Sequence, residues 1–481
     1  MDHSAEKPER LAYKWKVLIS VIFGMFMVIL DTTVVNIAFR TLQEEFASGV
    51  NDSQWVISIY VLMLGISTPL SGFLGDRFGL KRVFLTGLTI FVFGSLLCGL
   101  APSLWVLVAA RALQGIGGGV ALPLGTALLF TAFPPKEQGT ALGLFGIALV
   151  TGPALGPILG GWLVDLGHWR WIFFINVPIG IVGVTMGWRW LRDQQEHHSH
   201  KIDLLGLLCS TVGFGSVLYA ASRAADEGWT SSTVTTWFAI GTVALIAFAI
   251  VELFIAKEPL LDLRLFKNAT FTTAIIVGWV SVVALFGAEF LLPLYLQILR
   301  GYSALETGLI LLPLAIAAGI TLPLAGRLYD KVGARPLVVT GFTLLIINTW
   351  QLSKLTLETP ISWLLFLLAL RGLALGLTVQ TTMVTALSTV PMPKLSRGSA
   401  LVNSTRQVIQ SIAVAFLATV LASSVSPGVT QRMEAFEELA PRGSTSTMDL
   451  ALCEIPNASI PGIPGAAKDT FQQFCDEYIL G

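Results

Sequence analysis

Residues 72–82 read GFLGDRFGLKR and place one acid and three cations between two almost wholly apolar stretches. A similar strip, GRLYDKVGAR, returns at residues 326–335. The two strips align at a constant offset of 254 residues, which pairs Gly72, Asp76, Arg77 and Gly79 with Gly326, Asp330, Lys331 and Gly333. The recurrence indicates that the chain contains two copies of one structural unit.

Two further matches keep the same order along the chain. PPKEQGTAL at 134–142 corresponds to MPKLSRGSAL at 392–401. Arg111, which opens RALQG, corresponds to Arg371, which opens RGLALG. Three ordered matches with a small drift in spacing favour an internal repeat over chance.

The composition indicates a chain that is embedded in a membrane. It is 54% hydrophobic and 12% charged over 481 residues, and its mean hydropathy is +0.74, whereas soluble domains carry about 25% charged residues. Apolar runs of about 20 residues have the length that crosses a hydrocarbon core as a helix. We therefore predict an all-α, polytopic membrane protein, and the net charge of zero gives no sign of nucleic-acid binding.

The apolar runs predict thirteen membrane helices. Their approximate ranges are 16–39, 53–75, 83–101, 104–132, 138–164, 171–191, 203–223, 234–256, 270–298, 304–326, 336–352, 361–389 and 397–424. Most Lys and Arg residues fall on one side of the membrane, and the positive-inside rule makes that side, with the N-terminus, cytoplasmic. Both charged strips then lie on the cytoplasmic side, so the two copies are parallel repeats.

The predicted organisation has five parts. They are a cytoplasmic tail at 1–14, a first half of six helices at 15–195, two extra linking helices within 196–265, a second half with five visible spans at 266–424, and an exported-side stretch at 425–481. The last stretch is either a tail or loop, or the approach to a truncated fourteenth helix. Its Cys453 and Cys475 either form a disulfide or remain two thiols.

Several stretches resemble motifs of the major facilitator superfamily, and within it of the fourteen-span drug–proton antiporters. They are the strip at 72–82, LDTTVVNIAF at 30–39, RALQG at 111–115, WRWIFFINVPIG at 169–180, and the fifth-helix residues Gly143, Gly152, Gly156, Pro157, Gly160 and Gly161. The resemblance covers nearly the whole chain. It departs from the pattern at Arg40, where a proline is usual, and in the missing last helix.

The resemblance implies the major facilitator fold, with two pseudo-symmetric six-helix halves and two linking helices between them. It implies that the charged strips latch the halves together in the outward-facing state; this latch set is Gly72, Asp76, Arg77, Gly79, Lys81, Arg82, Asp330 and Lys331. Arg111 and Gln114 would belong to a proton relay. The exported substrates would be amphipathic, often cationic, drugs or toxic compounds, and the transporter would be a monomer in the lipid of the cytoplasmic membrane.

Ionisable side chains in the middle of predicted spans are costly to insert, by roughly 2.5–3.5 kcal/mol each, and commonly have a function. Asp31 and Glu289 are such acids. Burial disfavours the charged form of a carboxyl while a nearby Arg favours it, so a balanced carboxyl can take up and release a proton. We expect Asp31 and Glu289 to carry protons; the alternative is a structural carboxyl that is paired with Arg. Glu252 is expected to be interfacial.

The fifth predicted helix carries glycines at every fourth position, Gly152, Gly156 and Gly160, which permits a close helix crossing. Pro153 and Pro157 can kink it. Ordinary small-residue packing explains the same pattern, and the association with antiporters comes from the resemblance alone. The tentative lining of a substrate cavity is Phe26, Gln297, Gln380, Asn403, Arg406 and Gln407, whose polar members can equally form hydrogen bonds between helices.

The sequence contains no G-x-x-x-x-G-K-[ST] loop, no metal-ligand pattern and no nucleophile set, so we expect neither an enzyme nor a nucleotide cofactor. The expected energy source is an ion gradient, with protons favoured by the resemblance. Two other functions stay open. One is proton-coupled export of one dedicated metabolite or lipid; the other, more remote, is a non-transporting membrane receptor.

Overall fold

A computed structural model describes residues 12–193, 203–256, 258–302 and 304–424 of the chain. Within these ranges the chain is almost wholly helical and contains no strand. Residues 1–11 and the stretch 425–481, with Cys453 and Cys475, lie outside the described residues, so what the sequence predicts for them stays a prediction.

The first half contains six long helices. They are α1 (Tyr13–Ile37), α2 (Val50–Phe78), α3 (Leu80–Gly99), α4 (Leu104–Ala132), α5 (Gln138–Asp165) and α6 (Asn176–Trp190). Short helices at Phe39–Glu45 and Trp171–Phe174 lie in two of the connections. A single 3-10 turn, Pro135–Glu137, leads into α5.

Two linking helices and a second half follow. The linking helices are α7 (Leu204–Glu227) and α8 (Ser232–Ile250), and the second half consists of α9 (Ala269–Leu294), α10 (Ala304–Val332), α11 (Ala334–Leu352), α12 (Ile361–Ser388) and α13 (Leu395–Ser424). Short π-helical turns continue α8 at Val251–Ile255 and α9 at Tyr295–Leu299. A 3-10 turn, Met392–Lys394, leads into α13 as its counterpart leads into α5.

The all-α prediction is confirmed, and a long helix lies at each of the thirteen predicted positions. Among the described residues, ten helices are long and apolar enough to cross a membrane. Some helices extend past their predicted ends. α10 continues from the predicted end at 326 to Val332 and so includes Asp330. The strip residues are therefore partly helical.

Glycine conformation supports the internal repeat. Gly79 ends α2 with a φ of 90°, and Gly333 ends α10 with a φ of 78°. Both angles lie in the left-handed region, where a side chain is strained, so each helix can turn sharply into the next one only because the residue is glycine. We expected Gly79 to permit close packing; its main contribution is this turn.

The described residues up to Leu417 form one compact unit. Within it two pairs of helices join the two halves in an equivalent way, α2 with the start of α13 and α5 along α10. Each pair joins the second helix of one half to the fifth helix of the other. The linking helices pack on each other and on α2, where Tyr219 of α7 stacks on Trp55.

Candidate functional site

Asp31 lies in the middle of α1 with its side chain fully buried. Its Oδ2 is ion-paired with Nη1 of Arg111 on α4. Its Oδ1 accepts hydrogen bonds from Gln114 Nε2 at 2.9 Å and from Asn176 Nδ2 at 3.0 Å. The structure therefore brings Asp31, Arg111 and Gln114 together in one network, and it adds Asn176 from α6.

Arg111 is as buried as its partner, with 1% of its surface exposed. Its Nε donates to the Val56 carbonyl at 3.1 Å, its Nη1 donates to Gln114 Oε1 at 2.7 Å, and its guanidinium lies 4.0 Å from the centre of the Tyr60 ring. A buried charge is tolerated when it is both paired and hydrogen-bonded. Arg111 meets both conditions, because it is paired with Asp31 and hydrogen-bonded to Val56 and Gln114.

Ser95 on α3 joins the elements of this network. Its hydroxyl accepts hydrogen bonds from Gln114 at 3.0 Å and from Asn176 at 3.1 Å, and it donates to the Phe173 carbonyl at 3.1 Å. The Cys98 thiol lies 3.6 Å from Gln114 Oε1. The carboxyl thus has one cationic donor, Arg111, and two neutral amide donors, Gln114 and Asn176.

Sequence reasoning missed Asn176 and Ser95. Asn176 lies in the WRWIFFINVPIG stretch, so its position was marked but its role was not. Ser95 lies in an apolar run and carries no signal of its own. Both residues join the network only because α3 and α6 pack beside α1 and α4.

The second half contains a related site around Arg371 on α12, which is 3% exposed. Its Nη1 donates to Asn348 Oδ1 at 3.2 Å and to Thr349 Oγ1 at 3.4 Å, and its Nη2 donates to the Ala284 carbonyl on α9. Each half thus buries an arginine on its fourth helix. The backbone of Glu289 lies in α9, but its side chain is outside the described part of the chain, so its predicted role stays a prediction.

Asp76 and Asp330 occupy equivalent places at one end of the helix bundle. We call this the charged end, defined by residues 76–82 and 330–335. Asp76 Oδ2 lies 2.5 Å from Arg397 Nε, and Oδ1 accepts a hydrogen bond from the Ser396 hydroxyl at the start of α13. Each acid of the repeat therefore has a defined partner in the opposite half.

Asp330 makes the equivalent contact with the start of α5. Its Oδ1 accepts from the Gly139 N–H at 2.9 Å, and its Oδ2 accepts from the Thr140 N–H at 2.9 Å and the Thr140 hydroxyl at 2.6 Å. An acid beside the first N–H groups of a helix is favourable, because these groups lack partners within the helix and carry partial positive charge.

Two glycines allow these contacts to form. A Cβ on Gly72 would lie 2.8 Å from Arg397 Cα, and one on Gly326 would lie 2.2 Å from the Gly139 carbonyl oxygen. Both distances are too short for a side chain, so the helices approach each other to backbone contact. This is the close approach predicted for Gly72.

The cations of the latch set bond locally or face outward. Arg82 pairs with Asp193 at 3.0 Å within the first half, and the Arg77 guanidinium lies 5.2 Å from the Phe78 ring centre. Lys81 is half-buried and Lys331 is exposed. The polar contacts that join the halves at the charged end come from the two acids.

The glycines of α5 face two different neighbours. A Cβ on Gly156 would lie 2.1 Å from Thr33 Oγ1, and Gly152 and Gly160 also face α1, beside Asp31. Gly143 instead faces Leu322 and Gly326 on α10. Nine residues separate Gly143 from Gly152, about two and a half helical turns, which places them on opposite faces of α5. Pro157 lies in α5, and its side chain is outside the described residues.

A Gly156→Ala substitution is expected to destabilise the protein and impair transport. Overpacking of this kind costs about 1–3 kcal/mol, and the added methyl would press on α1 two residues from Asp31. Thermal unfolding in detergent and transport in liposomes measure the two effects. Gly161→Ala is the matched control, because a Cβ on Gly161 has nothing within 4 Å. Equal behaviour of the two variants would contradict the assignment of the close contact to Gly156.

The six residues expected to line a cavity have different surroundings. Gln380 donates to the Leu142 carbonyl on α5 at 3.3 Å, Asn403 donates to Ser399 in its own helix at 2.9 Å, and Gln297 is exposed. Phe26 and Gln407 are half-buried. Arg406 lines a cavity of about 30 Å³ between α9, α12 and α13, far below the several hundred Å³ of a drug-sized site.

Comparison with known proteins identifies, over most of the chain, the same family that the sequence motifs resemble. The family model described as Major Facilitator Superfamily matches residues 21–414. The chain is 36% identical over 403 residues to the uncharacterized MFS-type transporter YhcA of Bacillus subtilis (strain 168), which covers 84% of this chain and 76% of that protein. It is 33% identical over 424 residues to the multidrug resistance protein Stp of Mycobacterium tuberculosis (strain CDC 1551 / Oshkosh), with 87% and 78% covered.

Among solved structures, the human organic anion transporter MFSD10 (TETRAN) superposes with a TM-score of 0.62 at 15% identity. The match covers 87% of this chain and 94% of that one. At this identity the likeness is one of fold.

Proposed function

Because the chain belongs to the Major Facilitator Superfamily of membrane transporters, we propose that it is a proton-coupled antiporter that exports amphipathic, often cationic, compounds. The observation that carries the coupling is the buried Asp31–Arg111 pair, a carboxyl held by one cationic donor and by neutral amide donors inside the first half. The substrate class is supported by the likeness to a relative named as a multidrug resistance protein.

The proposed orientation places the N-terminus and the charged end in the cytoplasm of a multi-pass protein of the cell membrane. It rests on the distribution of Lys and Arg between the loops. With the charged end cytoplasmic, the Asp76 and Asp330 contacts close the inner side of the transporter, and the arrangement described above corresponds to an outward-facing or occluded state.

In the proposed cycle, a proton from outside adds to the Asp31 carboxylate. The neutral carboxyl no longer pairs with Arg111, which keeps its hydrogen bonds to Val56 and Gln114. The buried Asn176 Oδ1 has no hydrogen-bond partner in the described ranges, and a rotated amide would offer it to the new hydroxyl. Release of the proton to the inside restores the ion pair. Glu289 remains the candidate for a second carrier.

Coupling to the rest of the protein follows from the position of α5. One face of α5 packs on α1 beside Asp31, and the opposite face packs on α10 beside the charged end. A change in how α1 is held can therefore alter how α5 meets α10. Alternating access then consists of two states of these contacts, biased by the proton on one side and by the substrate on the other.

The proposal is tested by reconstituting the protein in liposomes that contain a pH-sensitive dye. Addition of an amphipathic cation is expected to move protons across the membrane, and an imposed pH gradient is expected to drive its accumulation. Protein-free liposomes are the control. Solute flux that ignores the pH gradient would contradict the coupling, and flux restricted to one metabolite or lipid would favour the dedicated exporter.

A further inference from the structure

Glu252 lies at the end of the second linking helix, and the prediction that it is interfacial is wrong. Its side chain is buried, with 1% exposed, in the π-helical turn that continues α8. Its Oε1 accepts a hydrogen bond from the Leu260 N–H at 3.1 Å, whereas Oε2 is buried and has no hydrogen-bond partner among the described residues. Single π-helical turns occur frequently at functional sites.

Asp203, at the start of the first linking helix, faces Glu252. Its Oδ1 caps α7 by accepting from the Gly206 N–H at 2.9 Å, and its buried Oδ2 has no hydrogen-bond partner within the part of the chain that the structure describes. A Cβ on Gly206 would lie 2.4 Å from Asp203 Oδ2 and 2.9 Å from Glu252 Oε1. Both carboxyls thus border the small space that glycine leaves open. Two carboxyls that border one enclosed space disfavour each other's ionisation in the absence of a compensating charge.

Among the described residues, three cations lie in the segments around the two acids. Lys394 at the start of α13 is ion-paired with Asp262 at 2.7 Å, and Arg264 is exposed and donates to the Leu253 carbonyl at 3.4 Å. Glu258 adds a further acid from the same connection, and residue 257 lies outside the described part. Arg397 interacts electrostatically with Glu252. The same guanidinium pairs with Asp76 of the first half.

We propose that Asp203 and Glu252 form a second proton-binding site, in which the two carboxyls share one proton, and that the charge of this site regulates the Arg397–Asp76 contact. With the proton bound, the pair carries one negative charge and Arg397 stays with Asp76. Release of the proton to solvent leaves two negative charges, which draw Arg397 away from Asp76. The linking helices would then make the charged end sensitive to pH.

Infrared difference spectroscopy on the full chain in lipid nanodiscs tests the shared proton, because a protonated carboxyl and an ionised carboxylate absorb at different frequencies. A protonated-carboxyl band is expected at neutral pH, to disappear at alkaline pH, and to be lost in Glu252→Gln. Glu227→Gln is the control, since Glu227 is exposed at the far end of α7. If Glu252→Gln removes no such band, the proposal is overturned. This outcome includes the case in which a bound cation keeps both acids ionised.

The link to Arg397 is tested with the same band. Asp76→Asn releases Arg397 toward the pair, so the midpoint of the band's titration is expected to shift to lower pH. Asp330→Asn is the matched control, because Asp330 occupies the equivalent place in the repeat but bonds to α5. An unchanged midpoint in Asp76→Asn, or an equal shift in both variants, overturns the link. The measurement needs no transport, so its outcome is independent of the proposed antiport.

Discussion

An Asp31→Asn variant is expected to reduce substrate-induced proton movement to the level of protein-free liposomes. Asparagine has nearly the same shape and can still accept hydrogen bonds from Gln114 and Asn176, but it cannot exchange a proton. Arg111 would also lose its buried counter-charge, and removal of one partner of such a pair costs about 3–5 kcal/mol. A lower unfolding temperature is therefore expected together with the loss of coupling.

Two variants separate the loss of coupling from the loss of stability. Ser95→Ala removes a hydrogen-bond acceptor of Gln114 and Asn176, which costs about 1 kcal/mol, yet it leaves the carboxyl and should retain coupling. Asp31→Glu keeps a titratable acid and should retain part of the coupling. Undiminished proton movement in Asp31→Asn would exclude Asp31 as the carrier, and Glu289→Gln would then be the variant expected to lose coupling.

Local sequence signals were enough to predict the helices and the repeat. Apolar runs placed the helices to within a few residues, since a membrane requires both length and hydropathy. The constant offset between the strips predicted that Asp76 and Asp330 are equivalent, and their contacts at the starts of α13 and α5 agree with it. The sequence also marked Asp31, Arg111 and Gln114, because polar side chains are conspicuous in apolar runs.

The sequence could not provide the partners of these residues. Ser95 and Asn176 reach Asp31 only through the packing of α3 and α6, which no local pattern encodes. Glu252 looked interfacial from its place near the end of a span, whereas the π-helical turn and the connection at Leu260 enclose it. The lining of a substrate cavity depends on how the two halves meet, and this differs between the states of a transporter.

The two functional regions of the molecule are joined by α5. Its glycines press on α1 beside the buried carboxyl and, half a turn away around the helix axis, on α10 beside the charged end. The contact with α10 is backbone to backbone at Gly326 and Gly139, whereas the contact with α1 includes the side chains of Ile29 and Thr33. A rigid helix in close contact on both faces transmits displacement better than a loosely packed one, so the backbone contact with α10 is where the proposed coupling is most exposed to perturbation.

Gly326→Ala is expected to prevent the charged end from closing. Its Cβ would lie 2.2 Å from the Gly139 carbonyl oxygen, a backbone atom, so α5 and α10 must separate to admit it. A cost of about 1–3 kcal/mol against the closed state lowers the ratio of closed to open molecules roughly 5- to 150-fold. Transport should fall accordingly. Labelling of an Ala400→Cys reporter, buried at this end, by a membrane-impermeant maleimide should accelerate.

Gly319→Ala provides the control on the same helix, because a Cβ on Gly319 has nothing within 4 Å. Replacing glycine by alanine favours a helix by about 1 kcal/mol in both variants, so any difference between them reports the contact with Gly139. Gly319→Ala should retain transport, and labelling of the reporter should stay slow. If Gly326→Ala behaves in the same way, backbone contact between α5 and α10 does not close the charged end, and the two acids must hold it without that support.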